Sequence, residues 1–157
     1  MAKVVAYGES DCMFLVEMGV GPGRANNRDD VALVQYFINL WFAHPENAGS
    51  RGVAGAPLKV DGLIGPKTKG RIKAFQSVMK ANGRALLADG CIDRMKDEMW
   101  IFVDDDKGSV YAIFCLNVEL MRLYESNLVR LFHRADYPTR LEPMLMKYVA
   151  QMFDQAA

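Results

Sequence analysis

The residues best placed to do chemistry lie in VDGLIGPKTKGRI, Val60 to Ile72, where glycines and basic residues surround Lys67-Thr68. A lysine beside a threonine can cradle a phosphate. That chemistry needs G-x-x-x-x-G-K-[ST], because its glycines let successive backbone N–H groups wrap the anion. Pro66 stands where glycine is required and removes a donor N–H, so a nucleotide loop is rejected. Hydrolysis needs a base beside a nucleophile, or metal ligands at workable spacing. His44 sits in a Pro/Gly-rich loop and His133 lies far away near a helix end, and no H-x-x-x-H or H-E-x-x-H occurs. No spacing among the 19 acidic residues selects a catalytic pair. Cys12, Cys91 and Cys115 are odd in number and form no C-x-x-C pair. They read as free, partly buried thiols and not as a zinc site or a disulfide. No catalytic residue, metal ligand or cofactor is therefore assigned.

One charge feature is local. No acid occurs between Asp61 and Asp89, while Lys59, Lys67, Lys69, Arg71, Lys73, Lys80 and Arg84 lie in or near that interval. From Asp89 to Asp106 there are seven acids against Arg94 and Lys96. Two readings follow: solvated faces that attract each other, or a basic helix face that meets carboxylates or phosphates on a partner.

The elements that must position these residues are mostly helical. Asp29-Asp30 opens an apolar-periodic segment through Val31, Val34, Phe37, Ile38 and Trp41, which must stop before Pro45. Pro66, with Gly65 before it, starts a second helix whose apolar face is Thr68, Ile72, Phe75, Val78 and Met79, ending at Asn82-Gly83. A third helical stretch is expected from about Ile92 to Phe102. Beyond Asp104-Asp105-Asp106, periodicity predicts a long helix over roughly 108–134 and a last one over about 139–155, forming a helical hairpin. VVAY and MFLVEM, in the weakly patterned N-terminal segment, read as short strands or extended pieces that cover a core. An internal echo links VDGLIGPKTKGRI to ADGCIDRMKDEMW at Ala88: each runs small or apolar residue, Asp, Gly, two apolar residues.

The chain has 157 residues, 51% hydrophobic and 24% charged, an ordinary globular balance. Its formal net charge of +0 supplies no overall basic field for nucleic acid. No apolar run approaches the roughly 20 residues that span a bilayer. Glu9, Asp11 and Glu17 interrupt the apolar N-terminus, so no secretory signal is read and cytoplasmic synthesis is expected.

The order of these motifs resembles the peptidoglycan-binding domain family of bacterial and phage cell-wall hydrolases. That family shows an L-Q-x-x-L-x helix, a D-G-x-x-G-x-x-T turn and a helix carrying F-Q. Val34-Gln35, Asp61-Gly62, Gly65, Thr68 and Phe75-Gln76 stand in those places, over about residues 29–101. The loop from Pro45 to Pro57 is longer than the family's, and the second turn has Asp93 and Lys96 where the first has Gly65 and Thr68. The resemblance implies a small three-helix peptidoglycan-binding-like core over 29–103; outside it, residue patterning adds a C-terminal helical hairpin over 104–157 and a weakly structured N-terminal segment over 1–28, and the whole is mainly α.

The function it implies is non-catalytic binding of peptidoglycan glycan and stem peptide. The ligand-binding residues would be Asp61, Gly62, Gly65, Lys67, Thr68, Arg71 and Lys73, with Lys67, Arg71 or Lys73 pairing with stem-peptide carboxylates. The motif is also a folding device, because Asp61 can bond turn N–H groups and Gly62 and Gly65 suit backbone angles that other residues resist. The rival expectation is the same fold reused as a structural or protein-interaction part of a phage tail or contractile injection particle, with Met121, Met144, Met146 and Met152 on an assembly surface. Such a particle would carry the protein to the periplasm or wall without a signal. A cell-wall hydrolase is the third expectation.

Overall fold

The computed structural model describes residues 2–7, 11–47, 55–95, 111–124 and 128–155. The chain is mainly α. Strands β1 (Lys3–Tyr7) and β2 (Asp11–Leu15) form an antiparallel hairpin with Val4 opposite Phe14. Four α-helices follow among the described residues: α1 (Arg28–Ala43), α2 (Pro66–Ala81), α3 (Ala112–Leu123) and α4 (Glu142–Gln155). Short 3-10 segments at Leu128–His133 and Thr139–Leu141 lead into α4.

Helix α1 is the central element. The Asn27 side chain caps it by accepting from the Asp29 N–H at 3.0 Å. His44, in extended conformation before Pro45, ends it. Eleven of its residues are buried, Val31 through Ile38 without interruption, so it is enclosed on nearly every side. Helix α2 begins on Pro66 as the sequence requires, and packs Ile72, Phe75 and Met79 against α1. The Trp41 and Phe75 rings meet edge to face at 5.1 Å.

The N-terminal hairpin covers this core. Cys12, Met13, Phe14, Leu15 and Val16 are all buried, and Phe14 meets Phe37 edge-on at 5.0 Å. Helix α3 packs on β2 and α1, and α4 lies against β1. One contiguous set of buried side chains runs from Ala2 to Tyr148 and draws on the hairpin, on α1 and α2 and on the C-terminal helices. Cys12, Cys91 and Cys115 are buried and none is in a disulfide.

Two helical expectations are corrected. Ile92 does not start a helix: it exchanges both backbone hydrogen bonds with Val20 in an antiparallel bridge, at 2.8 and 2.7 Å. Residues 93–95 are also non-helical, and the rest of the expected stretch lies outside the described residues, as do the Asp104–Gly108 boundary and part of the 44–57 loop. The helix expected over 108–134 runs only from Ala112 to Leu123 in the described residues. Tyr124 ends it, its hydroxyl donating to the Leu40 carbonyl at 2.8 Å, and the chain resumes at Leu128 as a 3-10 segment that buries Leu128 and Leu131. Periodicity could not see this break, because the apolar spacing of three residues serves both helix types.

Candidate functional site

The echo between Val60 and Ala88 is a structural repeat. Asp61 and Asp89 each accept a hydrogen bond through Oδ1 from the N–H two residues on, Leu63 in one turn and Cys91 in the other, both at 2.9 Å. Gly62 and Gly90 take φ of +73° and +79°. A Cβ on Gly62 would collide with the Arg28 carbonyl oxygen; one on Gly90 would sit 3.4 Å from that of Lys69. Gly62 thus lets its turn lie close on the start of α1, whereas at Gly90 the positive φ is the main demand for glycine.

A buried glutamine from that helix locks each turn. Gln35 Oε1 accepts from the Asp61 and Gly62 N–H groups at 3.2 and 3.0 Å. Its Nε2 lies within donor reach of Asp61 Oδ1, the Leu63 carbonyl and Thr68 Oγ1, at 3.2, 3.0 and 3.2 Å. Gln76 repeats the pattern: Oε1 accepts from the Gly90 N–H at 2.8 Å, and Nε2 reaches the Cys91 carbonyl at 2.7 Å and Asp89 Oδ1 at 3.2 Å. The Leu63 N–H, then the Gln35 amide, hold the Asp61 carboxyl below the usual carboxylate range.

These bonds decide which expected ligand residues face outward. Gly62 and Thr68 are buried, and the Thr68 hydroxyl and both Asp61 backbone and side chain already serve Gln35. Arg71 Nη2 donates to the Gly55 and Ala56 carbonyls at 3.1 and 3.4 Å, and its guanidinium lies 4.8 Å over the Phe42 ring. It fastens the loop before the first turn to α2. Lys67 and Lys73 are exposed and make no ion pair among the described residues; Gly65 is the N-cap of α2, with no side chain to offer its N–H groups. Lys67 and Gly65 therefore border the turn, while Lys73 lies farther along the helix.

Of the acidic segment, only Asp89 and Asp93 lie in the described residues, and Asp89 serves its own turn and Gln76. Asp93 bonds Arg24 from the N-terminal loop, and the acids beyond Met95 lie outside the described residues. Beside the second turn is an open groove of about 270 Å³, lined by Gln76, Leu86, Leu87, Asp89, Cys91 and Tyr111 among others. Burial, with Asp89 nearby, pushes the Cys91 thiol up, so it is a poor nucleophile there. His44 packs edge-on to Tyr124, and His133 is exposed. Among the described residues no three His, Cys, Asp or Glu side chains gather as a metal would require. No helix of the described residues is long and apolar enough to cross a membrane.

Two buried polar residues carry structure that the sequence reading did not assign. Asp30 accepts from the Glu17 and Met18 N–H groups at 2.9 and 3.0 Å, which ties the end of the hairpin to α1. Asn117 binds both backbone groups of Phe14. In the sequence Asp30 is legible only as a helix-start acid, and Asn117 carries no signal of its own. No protein-family model matches this chain, and no curated protein or solved structure matches it either.

Proposed function

We propose that the protein is a non-catalytic peptidoglycan-binding protein that meets the wall at the first Asp-Gly turn and the adjoining face of α2. The observation that carries this reading is the division of labour at the motif. Asp61, Gly62 and Thr68 build the turn with Gln35, while Lys67 and Lys73 stay exposed without ion pairs among the described residues. Exposed ammonium groups, Lys67 at the rigid turn and Lys73 farther along α2, suit the carboxylates of stem peptides. The motif match from Val34-Gln35 to Phe75-Gln76 supports the choice of wall over other polyanions.

The test is co-sedimentation with purified sacculi. The parent chain is retained, and Lys67→Glu with Lys73→Glu lowers retention at unchanged melting temperature. Arg71→Glu lowers both, because Arg71 also holds the loop. Absence of retention of the parent chain overturns the reading.

A second reading rests on α4. Met146 and Val149 are exposed at helical spacing, 66% and 37%, whereas Met144 is buried. An outward apolar pair on the last helix suits a component of a phage tail or contractile particle, docked through α4. Light scattering of the pure chain tests it: self-association lost in Met146→Lys with Val149→Lys supports it, and a monomer at all concentrations counts against self-assembly. A cleared zone in zymography on wall substrate would replace both readings by a hydrolase.

A further inference from the structure

The two halves of the repeat differ in one respect that points to a ligand. In the second turn the outer edge is filled by the chain itself. Val20 exchanges both backbone hydrogen bonds with Ile92. Gly21, at φ +128°, lies so close that a Cβ on it would stand 2.5 Å from the Gly90 carbonyl oxygen and 2.8 Å from Cys91 Cα. Arg24 of the same loop pairs with Asp93. In the first turn the residue equivalent to Ile92 is Ile64, by the alignment of VDGLI with ADGCI. Neither backbone group of Ile64 is hydrogen-bonded among the described residues, and Leu63 beside it is 54% exposed.

We propose that the Leu63–Ile64 edge binds an extended peptide that copies the seat of Val20–Gly21 on the second turn. Its ligand is an L-residue followed by a D-residue and a carboxylate. The L-residue exchanges two backbone hydrogen bonds with Ile64, as Val20 does with Ile92. The next residue takes the positive φ of Gly21, which a D-residue adopts without strain and an L-residue resists. The carboxylate follows from charge. The second turn offers the anion Asp93 to the cation of its occupant, whereas the first offers Lys67, with Lys59 before it, both exposed and without ion pairs among the described residues. The choice of a stem-peptide ligand rests on the wall-binding reading; the open backbone edge does not.

The experiment is amide NMR titration of the full chain with diacetyl-L-Lys-D-Ala-D-Ala. Saturable shifts at Gly62, Leu63 and Ile64 are expected, with a dissociation constant on the order of 1 mM, in keeping with two net backbone bonds and one exposed ion pair. Hydrogen exchange of the Ile64 amide, fast in the free chain, slows toward that of Ile92. The all-L isomer binds roughly 10-fold more weakly, and Lys67→Glu weakens binding about 3-fold. Equal binding of the two isomers, shifts confined to other regions, or no shift at 20-fold the expected constant (about 20 mM) overturns the inference. Sacculus retention without an Ile64 response overturns it and leaves wall binding standing. An Ile64 response without retention keeps the edge and removes the wall.

Discussion

Asn117 holds Phe14 by both of its backbone groups. Its Oδ1 accepts from the Phe14 N–H at 2.8 Å and its Nδ2 donates to the Phe14 carbonyl at 2.8 Å, while also reaching the Ile113 carbonyl at 2.7 Å. The amide does for β2 what a third strand would do, so a two-stranded hairpin gains a partner on its second edge. Asn117→Ala removes the Asn117 amide from the buried Phe14 N–H and C=O. A loss of about 2–4 kcal/mol is expected, seen as a melting temperature lower by roughly 5–15 °C. A drop under about 1 °C would show that the clamp contributes nothing.

The paired glutamines predict a chemical signature. Gln35→Ala removes the partners of the buried Gly62 N–H and Thr68 hydroxyl and costs about 3 kcal/mol. Gln35→Glu sets a second carboxylate against Asp61, so the variant regains stability as pH is lowered from about 7 to 4 and one carboxyl takes a proton. Gln76→Ala costs a similar amount at the other turn. The two alanine variants share no bonding partner, so urea unfolding of the double variant is expected to give their sum within about 0.5 kcal/mol. Strong coupling would mean that the turns do not fold as separate locks.

Asp30 predicts a pH dependence of opposite sign to most carboxylates. Burial is the main cause that raises its pKa, against the two N–H groups that lower it. The folded chain therefore holds this proton more tightly than the unfolded chain. The resulting stabilisation is complete below the ordinary Asp range and is lost as pH rises through the raised folded value. Asp30→Asn cannot accept from both Glu17 and Met18 without facing one N–H with its own NH₂, so it is less stable by about 1–3 kcal/mol. Its deficit relative to the parent chain shrinks as pH rises from about 4 to 7. Denaturation midpoints across that range check the slope; a deficit that grows with pH would contradict it.

How much could be read in advance divides by range. Pro66 after Gly65, Asn82-Gly83 and Pro45 set helix ends through their own backbone chemistry, and α1 and α2 stop and start where those residues say. The Asp-Gly turns were visible as a repeat because their signals lie within a few residues. Asp30 and Asn117 carry no such mark: a carboxylate at a helix start and an amide among apolar neighbours acquire their roles only from Glu17, Met18 and Phe14, which folding brings to them. Ile92 shows the same limit, since its place in a bridge is decided by Val20. At the candidate site the motif located the turn, but which of its residues point outward depended on Gln35.

Arg71 predicts a smaller effect of a different kind. Its guanidinium stacks on Phe42 and bonds two loop carbonyls from a partly exposed position. Arg71→Ala is expected to cost about 0.5–1 kcal/mol in urea unfolding. Arg71→Lys does not restore it, because an ammonium lacks the planar fork. Full rescue by lysine would reduce the contact to simple charge.

The Asn117 clamp joins residues 103 positions apart in the chain. A ribosome adding roughly 5–20 residues per second takes on the order of 5–20 s to make that intervening length. Throughout that interval the nascent hairpin has a strand edge built from Cys12, Met13 and Phe14 and nothing from α3 to close it. Strand β2 is thus the segment a holdase chaperone would guard during synthesis, and its release waits on the arrival of a single amide.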